Sequence, residues 1–200
     1  MKKYLLLIIL FLTGCTKYND LNELAIIKSI GISHNEEYTL FAEIIDEIDK
    51  DNNPITKVIE TKDKDLNKLF NNIKLLVNKE IYFSHIDLLI LDINLNNNDY
   101  QKIINYFLEH HEFRNDFLCV LSKDIKNVLE NTKYDEIEDL ITTNKESKNI
   151  IKISFEEIMK NYLDKQVFTI SEVSYNEKIV FNGNYKYQNN KLERITNEKK

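Results

Sequence analysis

The chain has 200 residues, 27 of them basic and 33 acidic, for a formal charge of −6. That balance argues against nucleic acid or anionic headgroups as its main electrostatic partner. With only three glycines and one proline, it has no Gly-rich loop to cradle phosphate.

Taken in chain order, the first element is a leader. Lys2 and Lys3 precede an apolar run that closes on Leu12-Thr13-Gly14-Cys15. The run suits a signal-peptide core and is too short for a bilayer, which needs about 20 apolar residues. Its last four residues match the bacterial lipobox, in which the cysteine thiol takes a diacylglyceryl group and cleavage follows just before it. Residues 1–14 are therefore expected to be a lipoprotein signal peptide, Cys15 the lipidation site and 15–23 a lipid-anchored linker. Loss of Lys2 and Lys3 would leave 25 basic residues against 33 acidic. The mature chain is expected to face away from the cytoplasm, with membrane contact supplied by the lipid. Cys119 then has no partner for an intramolecular disulfide, and its apolar setting, Phe117-Leu-Cys-Val-Leu121, reads as core.

Leu24–Ile32 reads as a strand. A polar turn at His34–Glu37 follows, then a second strand in which Tyr38, Leu40, Ala42 and Ile44 share a face. Asp49–Pro54 is a break before a short strand near Lys57–Thr61. Leu66, Leu69, Phe70, Ile73, Leu76 and Val77 form one helical stripe. Ile81–Ile93 reads as one strand, and Leu88–Leu91 within it is apolar on both faces, as in an interior strand. A second helix is expected near Asn98, with Asn98 and Gln101 as a capping pair and Tyr100, Ile103, Ile104, Phe107 and Leu108 as its apolar face. Asp116–Leu121 is again apolar on both faces, and Ile125, Val128 and Leu129 mark a short third helix. Thr142–Asn149 is polar and aperiodic. Ser154 with Glu157 is a capping box ahead of Phe155, Ile158, Met159 and Tyr162. Val167–Val173 reads as a strand, as does a segment in which Ile179, Phe181, Tyr185 and Tyr187 line one face. Asn189-Asn190 is a turn before a last strand near Leu192.

This order predicts an α+β fold, a mixed sheet with helices packed on it. The expected domains are 24–141 as the first unit, 142–149 as a linker, and 150–200 as a partial second region of a helix and a β-hairpin. That second region is too small to fold alone. It must pack on the first, meet a partner, or begin a domain that the chain does not complete.

No reactive grouping stands out. His110 and His111 are adjacent, so on a helix they point about 100° apart and cannot readily share a metal. A polar helix end explains them and Glu112. His85, beside Phe83, reads as a structural histidine, and Asp135–Asp139 as a solvated helix face. No serine sits in a nucleophile elbow, and Cys119 lacks nucleophile surroundings. The chain is read as a non-enzyme with no cofactor and no metal.

Several segments together resemble the Ger(x)C family of spore germination lipoproteins, the C subunits of nutrient germinant receptors. Gly14-Cys15 runs into Asn22-Glu-Leu-Ala-Ile-Ile27 and Ser29-Ile-Gly-Ile32, similar to the family's "INELAIV" and "GIGID". Tyr82-Phe-Ser-His85 before Leu88-Leu-Ile-Leu91 resembles "YFGHLKVIII". Phe113-Arg-Asn-Asp116 precedes Leu118-Cys-Val-Leu121 and Asp124-Ile-Lys-Asn-Val-Leu129, where the family carries an arginine, a strand and a short helix. Phe181-Asn-Gly-Asn-Tyr-Lys-Tyr187 through Asn190-Lys191-Leu192 resembles a "GxAxFKNDKL" hairpin. Thr16 and Lys17 stand where the family usually has Trp-Asp. Family members are also much longer, so the chain is expected to be a truncated, split or short form.

The resemblance implies a lipid-anchored accessory subunit of a germinant receptor, held on the outer face of the spore's inner membrane through Cys15. Its partners would be the membrane-spanning A and B subunits. It also implies no nutrient site here, since sensing is attributed chiefly to those subunits. Two other readings stay open: a ligand-binding or structural envelope lipoprotein unrelated to sporulation, and a lipid-anchored hydrolase with groups converging near His85 or His110.

Overall fold

The computed structural model describes residues 24–48, 54–77, 79–143 and 150–195. The leader, Cys15 and the linker to residue 23 lie outside these residues, as does most of the polar stretch after Thr143.

The described chain forms one mixed sheet with helices on both faces, the α+β arrangement that the sequence predicts. Its strands are β1 (Leu24–His34), β2 (Tyr38–Ile48), β3 (Pro54–Asp63), β4 (Glu80–Tyr82), β5 (Leu88–Asp92), β6 (Leu118–Ser122), β7 (Phe168–Asn176), β8 (Lys178–Gln188) and β9 (Lys191–Arg194). The helices are α1 (Leu66–Leu76), α2 (Asn97–Glu109), α3 (Ile125–Asn131), α4 (Tyr134–Thr143) and α5 (Phe155–Leu163). The sheet order is β3-β2-β1-β5-β6-β7-β8-β9, with β4 also paired to β1. Pairing is parallel through the centre, β1 to β5 to β6 to β7, and antiparallel in both flanks.

Two cores follow from the alternation of the central strands. Leu89 and Leu91 of β5 and Cys119 and Leu121 of β6 enter the larger core with α1, α2 and α5. Leu88, Ile90, Leu118 and Val120 face the smaller one under α3 and α4. Both strands are therefore covered on both sides, as their unbroken apolar runs predict.

The segment from Ile150 onward shares this sheet and these cores. The amide of Cys119 donates to the carbonyl of Ile153 at 2.9 Å, and that of Phe155 to Phe117 at 2.9 Å. Phe155, Ile158 and Met159 then enter the larger core, and β7–β9 extend the sheet beyond β6.

Five local expectations are corrected. Ile81–Ile93 is not one strand: Phe83 and Ile86 turn into the core, and a turn at Ser84-His85 separates β4 from β5. The break falls opposite a bulge in β1, where Lys28 is an extra residue in the pairing with β2. β4 pairs with Leu24–Ile26 before this bulge and β5 with Ser29–Ile32 after it. Second, α2 starts earlier than expected. Asn96 is its N-cap and Asp99 the reciprocal partner, with bonds of 3.1 and 3.3 Å. Third, β3 has ten residues rather than five, because it pairs along nearly all of β2. Fourth, Leu76 leaves the stripe of α1 and is 58% exposed, while Val77 is buried.

The last correction concerns β8. Glu172 pairs with Gly183 and Val173 with Phe181, so Asn182 is an inserted residue. One insertion reverses the alternation beyond it. Tyr185 and Tyr187 consequently join the larger core, while Ile179 and Phe181 pack on the smaller one.

Candidate functional site

The groups that carry chemistry are best taken from the strand ends inward. At the turn between β1 and β2, His34 and Tyr38 stack with centroids 4.2 Å apart. Both meet Asp99 in the first turn of α2. The Tyr38 hydroxyl donates to Asp99 Oδ1 at 2.8 Å, and His34 Nδ1 lies 3.0 Å from the same oxygen. Asp99 Oδ2 accepts from the Asn96 amide. Every oxygen of this buried carboxylate is thus engaged, and it latches the hairpin to α2. Burial, then the bond to Asp99, pushes the Tyr38 phenol well up.

Sequence reading missed this latch. Tyr38 and Asp99 are 61 positions apart, and His34 reads as an ordinary turn residue. The one available signal was an aspartate in the first turn of an apolar helix.

The groups singled out from sequence do not converge. His110 Nδ1 donates to the Tyr106 carbonyl at 2.7 Å, and its ring stacks on Tyr106 at 4.1 Å. His111 and Glu112 are exposed beyond the helix end. Glu112 lies 3.8 Å from Lys74, and its carbonyl accepts from Ser84 Oγ. His85 sits exposed in the turn between β4 and β5, not buried on a strand, with its ring 5.2 Å from Tyr82. Among Asp135–Asp139 the acidic groups face outward, and Glu138 pairs with Lys152 at 2.7 Å. Cys119 is fully buried, and burial pushes its thiol well above its usual range. A thiol held protonated in a core is a poor nucleophile. Among the described residues, no three His, Cys, Asp or Glu side chains are grouped to hold a metal.

Among the described residues, two surface clefts lie beside α2. The larger, about 570 Å³, lies between the start of α2, the end of α5 and the β8–β9 turn. Asn97, Gln101, Gln166, Tyr162 and Tyr187 line it, and none of the described residues in its wall carries a carboxylate, imidazole or thiol. Tyr187 donates to Asn97 Oδ1, and burial raises its phenol to about 12. The smaller, about 260 Å³, lies between α1 and α2, beside Tyr38, Lys102 and Tyr106. Its Asp65 is spent as the N-cap of α1, accepting from the Lys68 amide at 3.1 Å.

Two buried carboxylates, Glu43 and Glu172, lie away from both clefts. Glu43 on β2 accepts from Ser29 Oγ at 2.6 Å and is 5% exposed. Burial raises its pKa, opposed by hydrogen bonds from Ser29 and Thr56. The folded protein therefore holds this proton to higher pH than the unfolded chain does, so stability falls as pH rises across that interval. Glu43→Gln keeps an acceptor for Ser29 and removes the titration. Urea denaturation from pH 4 to pH 7 is expected to show a flatter profile and a more stable variant at the neutral end.

These features define a class first. The chain is a layered α+β domain in which many ionisable groups serve caps, latches and surface pairs, while among the described residues Glu172 Oε2 and the Tyr100 hydroxyl are buried without a hydrogen-bond partner. Its family follows from comparison with known sequences. The model of the spore germination protein N-terminal domain matches residues 17–175, well over half of the chain. The chain belongs to that family, and its role lies in spore germination. Family membership also implies association with the spore membrane. No curated protein and no solved structure matches it. Among the described residues, no helix is long and apolar enough to cross a membrane.

Proposed function

We propose that this chain is a lipid-anchored, non-enzymatic accessory subunit of a germinant receptor complex, acting in nutrient-triggered germination through protein contacts at the membrane. The observation that carries this reading is the junction near the N-terminus. The germination-domain match begins at Lys17, two residues after the cysteine of a complete lipobox. Cys15 is the lipidation site, the extracytoplasmic face of the spore inner membrane is the location, and membrane-spanning A and B subunits are the partners. Two acyl chains hold a protein far more firmly than one, since each buried CH₂ contributes about 0.8 kcal/mol. The outward ionisable groups of α4 and the clefts beside α2 offer contact surface without reactive chemistry.

Cys15→Ala is expected to abolish incorporation of a fatty-acid tracer and to lower nutrient-triggered germination toward the level of a gene deletion. Label surviving in Cys15→Ala would overturn the anchor. A deletion strain that germinates normally with every nutrient tried would overturn the receptor role.

A further inference from the structure

Of the eight large apolar side chains left in water among the described residues, Leu163 and Val167 line the cleft beside Asn97, Ile151 and Ile195 lie on other segments, and the remaining four gather together. Leu75 is 80% exposed, Leu76 58%, Ile55 48% and Tyr82 42%. Singly they would need no explanation, but all four lie at one end of the sheet. β1 starts at that end, antiparallel β2 finishes there, and β3 starts from it at Pro54. α1 enters at the opposite end, just after Asp63, and runs back, so its last turn carries Leu75 and Leu76 to the same place. β4 sets out from there beside Leu24–Ile26.

This is also the end at which the chain arrives from Cys15. Leu24 follows Cys15 by nine positions, and such a segment reaches about 30 Å at full extension. With the acyl chains in the bilayer, such a tether keeps this end of the domain within about 30 Å of the surface. The exposed residues suit that neighbour. Two adjacent leucines supply apolar area, and tyrosine, an apolar ring with a polar tip, favours the headgroup boundary.

We infer that this end of the domain is a membrane-docking face, with Leu75, Leu76 and Tyr82 entering the interfacial layer of the lipid bilayer beside the acylated N-terminus. The inference rests on acylation of Cys15 as proposed above. It orients the domain: the central strands rise from the membrane, and the His34–Glu37 turn and the start of α2 face the far side.

The test uses the full chain, produced in a host that processes lipoproteins and reconstituted in vesicles of phosphatidylethanolamine and phosphatidylglycerol. An environment-sensitive fluorophore is attached at Leu76→Cys or, as control, at Leu163→Cys, which lines the cleft beside Asn97 at the far end. Both positions are exposed, so neither substitution removes core. The Leu76 probe is expected to shift to the blue and to lose most of its emission when the lipids carry brominated acyl chains. The Leu163 probe should keep a water-like spectrum. Acylated, vesicle-bound protein with a water-like Leu76 probe would overturn the docking face and leave the anchor standing. A Leu76 probe shielded from water yet indifferent to brominated lipid would mean that protein covers the patch, and would also overturn it. Protein that is neither acylated nor vesicle-bound would overturn the anchor and the docking face together.

Discussion

Phe107→Ala is expected to cost about 3–5 kcal/mol, the range for truncating a buried aromatic. The reason is its position between layers. Phe107 is 1% exposed and lies where α2 meets α1, α5 and the loop before β6. Its ring stands edge-on to Phe113 and Phe155, each 4.8 Å away between centroids, with Phe117 at 5.7 Å and Phe70 at 6.0 Å. These partners come from three separate segments, so no single shift closes the hole that truncation leaves. A loss of that size is a large share of the roughly 5–15 kcal/mol that keeps a domain folded. Thermal unfolding followed by circular dichroism should show the midpoint falling by about 6–20 °C, at about 2–4 °C per kcal/mol for a chain of this length. Tyr82→Ala in the same experiment is expected to stay within about 0.5 kcal/mol of the parent, as exposed sites do. Equal losses at the two positions would contradict this description of the core.

The aromatic cluster explains why much of the fold was legible in the sequence. Phe70, Phe107 and Phe155 each sit on the apolar stripe of a helix, and the stripe alone points them inward. β5 and β6 were legible for a different reason. A strand with four consecutive apolar residues, as in Leu88–Leu91 and Leu118–Leu121, is stable only with a layer on each face. The Ser154–Glu157 capping box was readable because both partners lie within one turn; it forms with bonds of 2.9 and 3.2 Å.

What escaped sequence reading depends on contacts between distant segments. The break between β4 and β5 falls opposite a bulge at Lys28, more than 50 positions earlier. The reversal of faces in β8 comes from one residue, Asn182, which has no distinctive composition. Gly183 beside it has φ of +138°, a conformation that glycine tolerates and other residues avoid. An interior glycine in a strand was therefore the available warning of a bulge. The latch of His34, Tyr38 and Asp99 is of the same kind, assembled from a turn, a strand end and a helix start. Leu76 differs again: its spacing is that of a core residue, but the helix ends before the stripe can bury it.

The segments that resemble the germination family acquire a shared meaning in three dimensions. The first, second and third are β1, β5 and β6, adjacent strands at the centre of the sheet. Ile30 pairs with Leu89, and Leu89 with Cys119. The third also includes α3, which lies directly on β1. The match therefore reads the parallel heart of the domain, and its most exacting contact falls at Gly31.

Gly31→Ala is expected to destabilise the domain by about 1–3 kcal/mol, the usual cost of overpacking a filled core. Gly31 sits in β1 beneath α3, and a Cβ there would lie 2.1 Å from Ile125 Cγ2 and 3.4 Å from Leu129 Cδ1. Cγ2 branches directly from Cβ, so rotating the end of the side chain gives little relief, and α3 as a whole must lift. That helix has seven residues, begins at the Asp124 cap, and buries Ile125, Val128 and Leu129. Lifting it opens the smaller core rather than one contact. The two positions should consequently be coupled. Ile125→Ala alone costs stability by leaving a cavity, yet it removes the methyl that obstructs the new Cβ. Gly31→Ala and Ile125→Ala together should then cost less than the sum of the single losses, by about 0.5–3 kcal/mol, the range for residues in direct contact. Urea denaturation of the parent, both single variants and the double variant measures this coupling. Strict additivity would mean that something other than the approach of α3 requires glycine at this position of β1.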